Sequence, residues 1–154
     1  MCRTRSVTKS TFASRSFVCS SLVVVATLAW LGSLSLPAIA SSGGTGYTGL
    51  RVLLEGWRTL ALGIPSWCAN PAFIIAWGLL VAQRVRAAAV MSGLSLMLAA
   101  SSIAAPTFAG MAGNTLPQFE FRLGFFLWIS SIFALFLGTF CHVRVRARGA
   151  RTRY

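Results

Sequence analysis

Four stretches of this chain carry no charged side chain: Ser16 to Leu50, Thr59 to Gln83, Ala87 to Phe119 and Leu123 to Val143. Each is long enough to hold the run of about 20 apolar residues with which a helix crosses a hydrocarbon core about 30 Å thick. A charge at the centre of such a helix costs about 2.5 to 3.5 kcal/mol on insertion scales, so its absence from all four is a constraint on fold class. The pattern predicts an all-α membrane protein with four transmembrane helices. At 154 residues, of which 56% are hydrophobic and 10% charged, the chain has no length to spare for a separate soluble domain.

The charges that do occur are sorted by connection. Arg3, Arg5, Lys9 and Arg15 precede the first stretch, Arg84 and Arg86 separate the second from the third, and Arg144, Arg146, Arg148, Arg151 and Arg153 follow the fourth. In a four-pass chain these eleven residues share one side. Arg51, Arg58 and Arg122 fall on the other side, together with Glu55 and Glu120, which are the only acids. Basic loops stay in the cytoplasm, so the bias predicts a multi-pass membrane protein with both termini cytoplasmic. A net charge of +12 raises nucleic acid as a partner, but the basic residues flank apolar spans and lack interleaved aromatics, so no nucleic-acid binding is expected.

These landmarks divide the chain into a basic cytoplasmic N-terminus (1–16), a first span (17–40), an outer loop with an interfacial helix (41–64), a second span (65–84), a third (87–109), an outer loop (110–122), a fourth span (123–143) and an Arg-rich cytoplasmic tail (144–154). Two readings of the first span stand open. Pro37, Ala38, Ile39, Ala40 and Ser41 after a basic leader and an apolar run match a cleaved signal peptide, whereas the run from Phe17 to Leu36 exceeds the 7 to 15 residues of a usual signal core and favours retention. From Leu50 to Leu62, Arg51, Glu55 and Arg58 recur at helical spacing opposite Leu50, Leu53, Leu54, Trp57, Leu60 and Ala61, which predicts a short amphipathic helix on the outer interface or else the start of a long second span. Ser41 to Gly49 reads as a flexible loop. The second span is expected as a kinked helix from Pro65, with Asn70 as N-cap and Pro71 as first helical residue, and a tight turn at Arg84 to Arg86 leads to the third.

The third span holds only six Val, Leu, Ile or Phe residues against twelve in the fourth, so it needs protein neighbours. Ala89 with Gly93 and Ser95 with Ala99 place small residues four apart, as do Ser130, Ala134 and Gly138 on the fourth span; these are the expected helix-packing seams. Arg144, Arg146, Arg148, Arg151 and Arg153 are the expected contacts for anionic phospholipid headgroups. On the outer side, Arg51, Glu55, Trp57, Arg58, Trp67, Asn70, Glu120 and Arg122 form the candidate cluster for a headgroup or a protein partner, with local pairing of Arg51, Glu55 and Arg58 as the plainer alternative.

Catalytic and cofactor chemistry has little to draw on. No span carries a central acid or base for proton or ion coupling. His142 is the only histidine and there is no aspartate, which leaves a bis-histidine haem or a Ser-His-Asp triad incomplete. Cys141 and His142, with Cys19 nearby if the first and fourth spans touch, are the only conceivable metal ligands, but adjacent helix positions diverge by about 100°. Cys68 lies a membrane thickness from Cys2, Cys19 and Cys141, so the four cysteines are not expected to form a disulfide framework. No enzyme activity, metal or cofactor is expected.

Gly56 and Trp57, then Trp67-Cys68-Ala69-Asn70-Pro71, then Gly124-Phe125-Phe126-Leu127-Trp128 form a pattern over about half the chain. It resembles small uncharacterised bacterial inner-membrane proteins, in which a Gly-Trp segment precedes a Trp-x-Ala-Asn-Pro helix start and a later span opens on a Gly-aromatic-aromatic-x-Trp run. The resemblance implies no activity. The leading expectation is a non-enzymatic accessory or interaction protein acting within the bilayer, on another membrane protein or a second copy of this chain. A small channel or lipid-headgroup carrier using the proline-rich outer half, and a membrane immunity or exclusion protein, are the alternatives.

Overall fold

The structure is a computed structural model that describes residues 5–41, 46–62, 65–111 and 119–151. Helix α1 (Arg5–Ser35) leads directly into strand β1 (Pro37–Ser41). Strand β2 (Gly46–Thr48) is followed by the short helix α2 (Gly49–Glu55), a 3₁₀ segment (Gly56–Leu62) and a second 3₁₀ turn (Pro65–Cys68) that runs into α3 (Ala69–Val81). Helix α4 (Val85–Met111), strand β3 (Phe119–Phe121) and helix α5 (Leu123–Arg151) complete the chain.

Three of these helices are long and apolar enough to cross a membrane, over Phe17–Ser35, Val85–Ile103 and Leu123–Arg148. The apolar run Pro65–Val81 is shorter. Its 3₁₀ start and its abrupt end are the reasons: the amides of Gln83 and Arg84 bond back to the carbonyls of Leu80 and Leu79, and Gln83 takes φ 59°. That is the left-handed stop which glycine usually supplies after a helix, here made by glutamine. The turn to α4 is therefore at 82–84, and Arg86 already belongs to α4, not to a turn ending at Arg86.

A small antiparallel sheet, order β2-β1-β3, departs from the all-helical expectation. Ile39 pairs with Tyr47 on one side and with Phe121 on the other. The first span thus ends at Ser35 rather than at residue 40, and 37–41 and 46–48, expected as span end and flexible loop, are strands. The sheet exists because two helix ends meet there: the Gly49 amide donates to the Leu36 carbonyl and the Arg122 amide to the Ala38 carbonyl, satisfying backbone groups that the ends of α1 and α5 leave open. We call this the cap end and the opposite one, with the arginines, the arginine end.

Helix α5 packs against α1 and α4, and α4 packs against α3. The buried positions recur at three, four or seven residues: Cys19, Ala26 and Ser33 on α1; Ala69, Phe73 and Ala76 on α3; Val85, Ala88, Ser92, Ser95 and Ala99 on α4; Phe125, Ile132, Leu135 and Thr139 on α5. Such a repeat puts one stripe of each helix against its neighbours. On the outward faces stand Val24, Leu28, Ile75, Val90, Met97, Phe133 and other large exposed apolar side chains. A disulfide joins Cys19 to Cys141 at the arginine end, correcting the expectation of no framework for this one pair, while Cys68 is free. The bridge follows from the α1–α5 contact, which brings the middle of α1 level with the second half of α5. The Arg-rich segment after residue 143 is likewise not a separate tail; α5 continues to Arg151.

Candidate functional site at the cap end

Asn70 is the centre of the cap end. It stands in the first turn of α3, whose N-cap residue is Cys68 without a side-chain cap bond, so Asn70 is not the N-cap that the sequence predicts. Its side chain instead faces inward, 7% exposed. The Trp128 indole of α5 donates to Asn70 Oδ1 at 2.8 Å, and the Trp30 indole of α1 donates to the same oxygen at 3.4 Å. Asn70 Nδ2 donates to the Trp67 carbonyl at 3.5 Å. One amide thereby joins three helices, in surroundings where an indole N–H without water or protein partner is costly. The Trp30 ring also stacks on Phe73, with centroids 5.5 Å apart.

Trp67 connects this knot to α2. Its indole N–H donates to the Leu53 carbonyl at 2.7 Å, and its ring lies where a Cβ on Gly56 would stand 2.7 Å from Trp67 Cδ1. Gly124 opens α5 under the same constraint, since an added Cβ would meet the Leu36 and Pro37 carbonyl oxygens at 2.9 Å. Phe125 behind it stacks on Phe121 at 4.0 Å and leans on Trp128 at 5.8 Å. The Gly-Trp, Trp-x-Ala-Asn-Pro and Gly-aromatic-aromatic-x-Trp segments, far apart in sequence, are therefore parts of one joint. Trp57 is the exception: it is 54% exposed, with the Arg58 guanidinium 5.8 Å from its ring centre.

The charged members of the predicted cluster do not gather around Asn70. Arg51 pairs with Glu55 at 3.1 Å, four residues on, and its guanidinium lies 5.0 Å from the Tyr47 ring centre. Arg122 pairs with Glu120 at 2.6 Å, two residues back. Among the described residues both ion pairs are local and exposed, worth at most a few tenths of a kcal/mol each. Trp67 and Asn70 hold the fold together; Arg51, Glu55, Trp57 and Arg58 face outward on α2 and the 3₁₀ segment after it.

Of the predicted packing residues, Gly93 meets the Phe136 ring of α5, Ser95 donates to the Ala69 carbonyl of α3 at 2.8 Å, and Ala99 is buried. Gly138 lies against Val23 and the Cys19 carbonyl of α1, and Ala134 packs on the core, whereas Ser130 is exposed and its neighbour Ser131 is buried. Ala88 and Ser92, also four apart but not among the predicted pairs, are fully buried, and Ser92 shares a 2.8 Å hydrogen bond with Thr139 of α5. Ala89 is only half-buried beside them.

At the arginine end the five predicted lipid contacts separate. Arg146 reaches across the surface to bond the Gln83 carbonyl and side-chain oxygen, fastening α5 to the α3–α4 turn. Arg144 lies over the Phe140 ring at 4.8 Å and, with Arg148, lines a groove on α5. The Arg151 side chain and all of Arg153 lie outside the described residues. Among the described residues no group of three His, Cys, Asp or Glu side chains is placed to hold a metal ion. No family model matches the chain, and neither a curated protein nor a solved structure matches it.

Proposed function

We propose that this chain is a four-pass protein of the bacterial inner membrane, with both termini cytoplasmic and the cap end outside, that acts without catalysis by binding another membrane protein. The observation that carries the reading is how its polar atoms are used. Among the described residues every buried side-chain nitrogen and oxygen has a hydrogen-bond partner, and Asn70, Ser92 and Ser95 use theirs to join helix to helix. The buried polar side chains are committed to architecture, and what is left for function is surface: apolar helix faces toward lipid and the exposed charges and Trp57 of the cap.

Threading follows from the eleven basic residues on the arginine-end connections. The short helix Pro65–Val81 counts as the fourth crossing because Arg84 and Arg86 can snorkel at one end while the cap shelters the other. Retention of α1 is favoured by its place in the fold: cleavage after Ala40 would cut β1, the central strand of the sheet, and remove a main packing partner of α5.

Fusing a periplasmic phosphatase or a fluorescent protein to the C-terminus tests the threading, and fluorescence without phosphatase activity is the expected result. Cross-linking in the membrane followed by purification in mild detergent tests the role. A stoichiometric membrane protein is expected on the chain, and recovery of the chain alone, with none bound, would overturn the interaction reading.

A further inference from the structure

A groove of about 450 Å³ runs along the arginine end, where α1 and α5 pack antiparallel. Val18 of α1 and Leu137 and Phe140 of α5 give it apolar walls, and Arg144 and Arg148, one helical turn apart, occupy the stretch nearest the C-terminus. From Leu137 to Arg148 the lining covers about 16 Å of helix at 1.5 Å per residue, with Leu137 and Phe140 toward one end and Arg144 and Arg148, Val145 between them, toward the other. The order matches a phospholipid lying along the helix, with acyl chain against Leu137 and Phe140 and phosphate level with the arginines.

Among the described residues no acid stands opposite the charge on this groove. Glu55 and Glu120, the chain's only acids, belong to cap-end segments and pair there with Arg51 and Arg122. Arg146, on the same helix, is occupied by Gln83, so the structure separates it from Arg144 and Arg148. The Phe140 ring beneath the Arg144 guanidinium holds that group over the apolar wall. Two guanidiniums facing a greasy channel, with no carboxylate nearby, suit a phosphodiester.

We propose that this groove binds one anionic phospholipid, its phosphate held by Arg144 and Arg148 and an acyl chain seated between Val18 and Phe140. The proposal rests on the bilayer reading above but not on which way the chain is threaded. Purified protein is placed in nanodiscs of phosphatidylcholine with increasing phosphatidylglycerol, and bound anionic lipid is counted by native mass spectrometry and by contact with a spin-labelled phosphatidylglycerol. The double variant R144Q/R148Q should bind roughly 100-fold more weakly, as expected if each guanidinium gives the phosphate a charge-assisted hydrogen bond of about 1.5 kcal/mol. R84Q/R86Q removes the same charge from the other basic turn and should change affinity less than twofold. Leu137→Trp keeps both arginines but fills the channel, and should also displace the lipid. Equal losses in the two double variants would mean diffuse attraction and overturn the site. So would unchanged binding in Leu137→Trp, or competition by inorganic phosphate as effective as that by the lipid. A chain that enters no nanodisc would instead refute the bilayer reading.

Discussion

At the cap end, two indole N–H groups converge on the oxygen of Asn70, a third reaches the Leu53 carbonyl, and backbone approaches backbone at Gly49 and Gly124. At the arginine end, regular helix runs on until it stops, with one disulfide, the Ser92–Thr139 hydrogen bond and the Arg146 hold on Gln83 as cross-ties. The cap end leaves few polar groups free, whereas the arginine end presents cations and a groove. The difference indicates where rigidity and where binding capacity have been placed. Neutral hydrogen bonds in a water-poor setting have no competing solvent and fix one geometry. Guanidiniums at a headgroup surface exchange partners within a screening length of about 8 to 10 Å.

Gly49→Ala should expose that difference most strongly. A Cβ at this position would fall on the Ser33 carbonyl oxygen, which is backbone and has no rotamer to yield. Separating α1 from α2 is the only relief, and it breaks the Gly49 amide bond to Leu36. A loss of about 3 kcal/mol, the upper part of the usual overpacking range, is expected in reversible unfolding by SDS from mixed micelles. Gly78→Ala, where an added Cβ meets nothing within 4 Å, is the control and should be neutral or slightly stabilising. If the two variants unfold alike, the cap end is not tightly fitted.

Asn70→Ala comes next. The substitution leaves the Trp128 indole without its 2.8 Å acceptor and loosens Trp30. Burying an unpaired donor costs about 1 to 3 kcal/mol, although polar contacts between membrane helices average nearer 0.6, so about 2 kcal/mol is expected for two indoles losing one oxygen. Tryptophan emission should shift as the indoles change surroundings. Asn70→Asp keeps an oxygen acceptor and should recover part of the stability. Equal stability of all three proteins would demote Asn70 from joint to bystander.

The sequence makes some of this visible and hides the rest for physical reasons. Charge-free stretches locate the long helices because the bilayer taxes charge irrespective of neighbours, and Phe17–Ser35, Val85–Ile103 and Leu123–Arg148 lie on three of them. The interior seam is harder to read. In lipid both faces of a helix are apolar, so burial is marked by small and hydroxyl side chains: Cys19, Ala26 and Ser33 at seven-residue spacing, or Ala88, Ser92, Ser95 and Ala99 at alternating four and three. Small residues four apart are frequent in so Ala- and Ser-rich a helix, so spacing alone does not tell the buried pair Ala88 and Ser92 from the half-buried Ala89 and Gly93. The sheet has strands of three to five residues, too short for alternation to register, and β1 coincides with a signal-cleavage pattern. Asn70 was visible as a polar residue at a helix start, yet its partners lie 40 and 58 positions away. The surest hint is that tryptophan stands in three separate segments, with glycine in two of them and asparagine in the third, a composition suited to close approach and indole hydrogen bonding.

The Cys19–Cys141 bridge should give the smallest effect, although it closes a loop across 122 residues of sequence. In the chain-entropy account a loop that long gains about 4.7 kcal/mol from cross-linking in water. Here much of that entropy is already gone if insertion fixes the order of the helices before they pack. Cys19 also sits fully buried against α5, where Gly138 lets the two backbones close. Packing therefore holds α1 to α5 whether or not the sulfurs are joined, as it must if the arginine end faces the cytosol, where thiols are kept reduced. Cys141→Ser, or reductant added to the native protein, should shift unfolding by under about 1 kcal/mol, the low end of the range for disulfides. Alkylation after denaturation, with and without reductant, reports how much of the pair is bridged. A shift exceeding that of Asn70→Ala would reverse the comparison, making the sulfur bridge rather than the indole–amide knot the principal tie of the bundle.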